Sequence, residues 1–495
     1  NGGISADGKT YTFHIRPGVK FQNGDPLTAE DVAYTFKRDM VIDPEGGPNW
    51  IWYTVFFGTG GSRDGKGNIT ANFSDIDKAI TVSGNDVMFH LQDPYAPFLS
   101  VLAGTWGSIV DKKFVMANGG WDGTEATWKK YNNPDNGKET LANIANGSGP
   151  YKLTRWTKGN EIVLDYWDGY WGPKPAMTEG LYKVVKEWST RKLMLLQGDA
   201  DAVLVDAPYY KEMETQPNLK VTTNNTINIT NIFFNYNTNT KDNPYAGSGQ
   251  LDGNGVPANF FADKDIRLAF AYAWDEKTFL QEGASGYGIN PVTPVPEGLP
   301  FKDNSLKSLP FDLQKATEYF KKAMNGQVWA KGFKLQIAYN TGNQVRETAA
   351  KMLAENVGKI NPKFQIQTLG IEWAQYLNLY RQKQLPIFII GWAPDYPDPD
   401  DYVVPFIASW GAYSGQQGYK NEEADKLIKE AAISTDNAQR QADYYRVQQI
   451  YMQDIPSLSI YQAVQKRFYK DWVKGNFYNP MQGDVMDVLR WVTKG

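Results

Sequence analysis

The chain has 495 residues, a net charge of −4, no cysteine and only two histidines. That length calls for more than one hydrophobic core, and the near-balanced charge leaves no basic stripe for nucleic acid. The missing cysteines exclude disulfides, thiolate metal sites and cysteine nucleophiles, and no apolar run approaches the ~20 residues needed to cross a bilayer.

In chain order, Asp7-Gly8 is a hairpin-turn signal before the alternating strand Thr10 to Ile15. Thr28, followed by Glu30 and Asp31, predicts a helix start, the acidic residues complementing the positive end of the helix dipole. Ile80 to Leu91 reads as a hairpin, and 119–146 as a polar surface excursion. Ile162 to Asp165, a helix around Thr190 to Leu196 and the apolar run Ala200 to Val205 read as a strand–helix–strand unit. Asn225 to Asn239 is extended, and the Gly/Asn/Pro-rich 243–257 segment is a plausible crossing between lobes.

Further on, helices are expected from Asp265 to Trp274 and from Gln314 to Met324, the latter capped by Asp312. Strands at Lys334 to Tyr339, Phe364 to Leu369 and Ile387 to Ile390 alternate with helices at Gln344 to Val357 and Trp373 to Gln382. That order makes this part α/β with substantial parallel pairing. Helices at Asn421 to Ser434 and Ala438 to Met452 precede the strand Leu458 to Tyr461.

The most informative stretch follows the Ile387 strand. Pro394, Pro397 and Pro399 are expected to hold the backbone extended, placing Asp395, Asp398, Asp400 and Asp401 on a stiff loop. Such a loop at a strand's C-terminal edge is where open α/β sheets bind ligands. Trp392 beside Asp395 offers an apolar wall and an anion for a cationic group, while a Pro/Asp-rich surface turn is the plainer reading.

Four segments, in order, carry a resemblance. They are Asp7 to Phe36, Gly147-Ser-Gly-Pro-Tyr-Lys-Leu153, Asp263-Lys-Asp-Ile-Arg-Leu-Ala-Phe270, and the Gly-Trp-x-x-Asp-Tyr-x-x-Pro element from Gly391 to Pro399. Together they resemble the oligopeptide/dipeptide/nickel-binding solute-binding proteins of ABC importers, across essentially the whole chain. The resemblance implies an α/β, periplasmic-binding-protein-like fold with two hinged lobes, a ligand cleft between them and an accessory domain. The expected division is 1–146 for the accessory domain, 147–245 with 466–495 for the first lobe, and 246–465 for the second. It further implies a monomer outside the cytoplasm, in a periplasm or on a lipid anchor not present in this sequence, with a family segment expected upstream of Asn1. Such a protein hands its solute to a membrane permease and its ATPase, and no nucleotide-binding loop appears in this chain.

By the same resemblance, Asp395 matches the aspartate that receives a peptide's α-ammonium, with Trp392 and Tyr396 beside it in the ligand site. An ammonium has only donors, and a partly buried carboxylate makes a strong charge-assisted bond to it. Ile389 and Val345 stand where longer-peptide binders carry an arginine and a histidine, so those carboxylate contacts do not transfer. Arg346 and Arg381 are nearby candidates for a ligand carboxylate, each with a solvated helix charge as its plainer reading.

A peptide is the favoured ligand. An oligosaccharide stacked on some of the 16 tryptophans and 29 tyrosines is the alternative within the family. A glycoside hydrolase using the aspartate cluster and Glu372 is the alternative from another class, but nothing in the sequence fixes a carboxylate spacing. No catalytic motif, cofactor or metal is expected: His14 and His90 stand singly in strands, and the prolines interrupt any calcium-loop pattern among the aspartates.

Overall fold

The apolar runs in the second half of the chain gather into one sheet. The computed structural model describes residues 2–45, 47–64, 66–135, 137–481 and 489–495, so part of the 466–495 segment lies outside the described residues. Strands Phe333–Asn340, Phe364–Ile371 and Ile387–Trp392 pair in parallel, with Phe333 opposite Phe364 and Ile337 opposite Ile387. Helices Gln344–Ile360 and Trp373–Arg381 make the crossovers, as the alternating order predicts. Asn343 caps the first by accepting the Arg346 N–H, and Ala349, Leu353 and Val357 face the sheet at helical spacing. One face packs on Phe270, Phe320 and Leu353, the other on Phe233, Phe406 and Tyr444.

Two long strands, Leu219–Phe234 and Ser457–Lys470, pair antiparallel from Phe233 opposite Ser457 to Leu219 opposite Lys470. At one end Leu219–Phe234 also pairs with Ile387–Trp392, inside the large sheet. At the other end Ser457–Lys470 pairs with the short Ala202–Val203 strand, beside a separate small core of Leu195, Val205, Tyr210, Met213 and Phe468. The ribbon therefore leaves one lobe and enters another. Two register shifts, between Ser459 and Tyr461 and between Gln462 and Val464, interrupt its ladder where the cores part.

Part of the sequence reading is corrected here. Ile162 to Asp165 does not join Ala200 to Val205 in an α/β unit. It lies in the Glu161–Tyr166 strand of a separate antiparallel sheet with Tyr151–Thr157 and Glu179–Lys183, while only Ala202–Val203 of the later run forms a strand. An apolar run signals burial without saying against what, and hairpin neighbours are closer partners than a strand beyond a helix.

The accessory domain builds on a four-stranded antiparallel sheet containing Thr10–His14, Asp86–His90 and Ile80–Ser83. Helix Ala29–Ile42 covers it; Thr28 and Asp31 form a reciprocal capping box. Residues 119–146 are not a loose excursion: Trp121 and Trp128 are buried in this core, and Tyr34 stacks on Trp121 at 5.5 Å. The abundant polar residues of that segment obscure the two tryptophans that fix it. One member of this core comes from far away in sequence. It is Tyr396.

Candidate functional site

The Ile387–Trp392 strand delivers the aspartate loop to the junction between the second lobe and the accessory domain. The loop is not extended throughout. Pro399 adopts helical angles and opens helix Asp400–Ile407, so Asp400 and Asp401 form a first helical turn. Proline is tolerated there because the first N–H groups of a helix have no intrahelical partner.

The four aspartates have different fates. Asp398 is buried and both its oxygens lie 2.8 Å from Arg440 Nη2, on helix Asn437–Asp454. Asp400 accepts from the hydroxyls of Tyr95 at 2.8 Å and Tyr396 at 2.9 Å, tying the accessory domain to the loop. Asp401 is fully buried; its Oδ2 accepts the Asp395 N–H at 2.8 Å and the Tyr396 N–H at 3.4 Å, while Oδ1 has no partner among the described residues. Asp395 is half-buried and makes no ion pair among the described residues. Burial pushes its carboxyl up from 3.8 to about 6, against a smaller opposing pull from the Trp106 indole. The Trp106 segment lies close: a side chain on Gly104 would place its Cβ 3.5 Å from the Asp395 carbonyl oxygen.

On the sheet side, Arg346 Nη1 donates to Asn340 Oδ1 at 2.8 Å, but its buried Nε has no partner and no carboxylate lies within ion-pair distance among the described residues. Burial holds its pKa below the usual arginine value; the nearest groups favouring its charge are the Tyr376 and Tyr413 hydroxyls. Gly391 gives it room, since a Cβ there would fall 2.7 Å from Arg346 Nη2 and 2.5 Å from the Ile229 carbonyl oxygen. Tyr413 belongs to the same surroundings. Its hydroxyl donates to the Gly391 carbonyl at 2.8 Å, its ring packs edge-on against Trp392 with centroids 5.6 Å apart, and it senses both Arg346 and Asp395. The Trp392 Nε1 is buried without a hydrogen-bond partner among the described residues.

Of the five expected site residues, Asp395, Trp392 and Arg346 come together. Two expectations are corrected. Tyr396 is fully buried in the accessory core with its hydroxyl committed to Asp400, so it has no face left for a ligand. Arg381 is exposed at the end of helix Trp373–Arg381, on the surface rather than in this pocket. Glu372, weighed as a hydrolytic carboxylate, caps that helix by accepting from Ala374 and Gln375. Ile389 and Val345, the departures from the longer-peptide pattern, pack into the apolar core. Sequence reasoning missed Tyr413, Trp106 and Asp401 as members of the site. Only Asp401 carried a signal, as part of the aspartate cluster.

Comparison with known proteins fits this architecture. The sequence profile of bacterial extracellular solute-binding proteins, family 5 Middle, matches residues 2–414. Among curated proteins, the probable D,D-dipeptide-binding periplasmic protein DdpA of Escherichia coli is 27% identical over 489 residues, covering 98% of this chain and 82% of the relative. The dipeptide-binding protein DppE of Bacillus subtilis is 24% identical over 502 residues, covering 99% and 82%. Among solved structures, Helicobacter pylori DppA in complex with the peptide STSA superposes with a TM-score of 0.76 at 22% identity, over 100% of this chain and 88% of that one. Bacillus subtilis AppA in complex with a nonapeptide gives 0.75 at 23%, over 100% and 89%. With its two lobes, ribbon and accessory domain, the chain belongs to family 5 of the bacterial extracellular solute-binding proteins.

Proposed function

We propose that this protein captures a short peptide outside the cytoplasm, its free amino terminus on Asp395 and its carboxylate on Arg346, against the Trp392 and Tyr413 rings. The observation that carries the reading is a half-buried carboxylate, Asp395, and a part-buried guanidinium, Arg346, each without a counter-ion among the described residues and both felt by the one Tyr413 hydroxyl. Burying a charge without a partner is costly, and a zwitterion supplies both partners at once. The similarity to dipeptide-binding relatives points the same way.

In this reading, residues 147–245 with 466–495 form the first lobe, 246–465 the second and 1–146 the accessory domain. The lobes close over the ligand by bending the 219–234/457–470 ribbon near its register shifts. The loaded monomer then docks on a membrane permease, whose ATPase supplies the energy. A neutral oligosaccharide would leave both charges unpaired and is the weaker reading.

Calorimetric titration with free, N-acetylated and C-amidated dipeptides tests the proposal, with a maltooligosaccharide as the competing ligand. Both blocked peptides should bind much more weakly than the free one. Tight binding of the sugar, or equal affinity for all three peptides, would overturn it.

A further inference from the structure

Asp401 stands out in the site because nothing among the described residues balances it. It is wholly buried, one oxygen is taken up by two backbone N–H groups of the Asp395 turn, and the other is unpartnered. On the loop, the Trp392 indole N–H faces Asp401 and favours its charge without closing a hydrogen bond of good geometry. The Tyr396 and Tyr402 hydroxyls point elsewhere, to Asp400 and to the Ile227 carbonyl, and Tyr413 donates to Gly391. From the C-terminal segment, Tyr478 faces Tyr402. From the accessory domain, Trp106 approaches Asp395 and Tyr95 serves Asp400.

The remaining charges are no help. Arg440 is committed to Asp398, Arg346 forms no ion pair with either Asp395 or Asp401, and Asp398 and Asp400 add negative charge. A wholly buried carboxylate beside a half-buried one, with no cation paired to either among the described residues, does not ionise together with it; the pair keeps a proton.

We propose that Asp395 and Asp401 act as a carboxylate pair that holds one proton while the site is empty and gives it up to solvent when a ligand ammonium docks, so that capture is coupled to proton release. The step balances: one carboxylic O–H breaks, its proton goes to buffer, and the ammonium keeps its three N–H bonds, donating to Asp395 while its positive charge lets the buried Asp401 remain ionised. Asp401 is then a positioning residue, holding the Asp395 turn and setting the charge that the pocket offers. The directions of titration agree. Burial first, and then the charge on Asp395, drive Asp401 well above the ordinary carboxylate range. This inference rests on Asp395 receiving the ligand amine.

Two measurements separate the parts. Infrared difference spectroscopy of the empty protein at pH 7, wild type minus D401N, should show a buried protonated-carboxyl band; its absence would overturn the stored proton whatever the ligand is. Asn keeps an acceptor for both amides, so D401N should hold the loop, and circular dichroism checks that it folds. Titration of wild type with the dipeptide Ala-Phe, in buffers of different ionisation enthalpy at pH 7, should give up to one proton released per peptide bound. With D401N the release should vanish, and the rise of affinity with pH should move to lower pH. Binding with no buffer dependence in wild type would overturn the coupling. A carboxyl band with no Ala-Phe binding would instead count against the peptide reading, and the stored proton would stand.

Discussion

The aspartate loop has a back and a front, and they treat charge in opposite ways. At the back, Asp398 and Arg440 meet in a buried pair; against the lowering effect of burial, Tyr444 and then Asp398 hold the guanidinium pKa above its usual value. At the front, Asp395 and Arg346 are each pushed toward neutrality by burial and have no ion partner among the described residues. Both arginines lie on long helices that pack against the same lobe, so residue type and local structure do not distinguish them. Partners do. Charges satisfied within the chain hold the accessory domain, the loop and the helix together, and in the proposed reading the unsatisfied ones await a ligand.

Breaking the back should have the largest effect. Replacing Arg440 by Met leaves Asp398 buried and unpaired, which should cost about 3–5 kcal/mol of stability, read by denaturant unfolding. A stable R440M would show that the back is not structural. At the front, D395N should cost about 2–5 kcal/mol in affinity for a free-amine peptide. Its unfolding midpoint should hold or rise, because a desolvated charge is removed.

The pH dependences should run in opposite directions. Burial raises Asp395 and Asp400 from 3.8 to about 6, so the native state holds protons that the unfolded chain has lost. Stability from these groups is therefore greatest below 3.8 and falls as pH rises towards about 6, whereas peptide affinity rises through the same window because binding requires the anion. Unfolding of the empty protein at pH 4.5 and 7, with D395N flattening the slope, checks the first half. The smallest effect is expected from Y396F. It should lose about 0.5–1.5 kcal/mol of stability for the hydrogen bond to Asp400 and leave peptide affinity unchanged.

Much of this fold was legible in the sequence, because its signals are local. Thr28, Asp312 and Asn343 cap helices with their own side chains, and Ala349, Leu353 and Val357 show which face is buried. What was not legible depends on partners distant in sequence. The Ala200 to Val205 run reads as one strand, but only Ala202–Val203 finds a neighbour. Pro399 reads as a breaker yet begins a helix. Asp395, Asp398, Asp400 and Asp401 look interchangeable in a seven-residue stretch. Their roles are set by Arg440, 42 residues from Asp398, and by Tyr95, 305 residues from Asp400. Tyr396 was misplaced for the same reason: its neighbours in sequence are site residues and its neighbours in space are the accessory core.

The most direct test of the unpaired front is a double-mutant cycle between protein and ligand. Affinities of wild type and D395N would be measured for a dipeptide and its N-acetylated form, and of wild type and R346Q for the dipeptide and its C-amidated form. If the two charges are waiting for a zwitterion, each mutation and its matching blocking group should be strongly non-additive, the second change costing little once the first is made. Full additivity in both cycles would contradict it, because the peptide's termini would then lie away from Asp395 and Arg346.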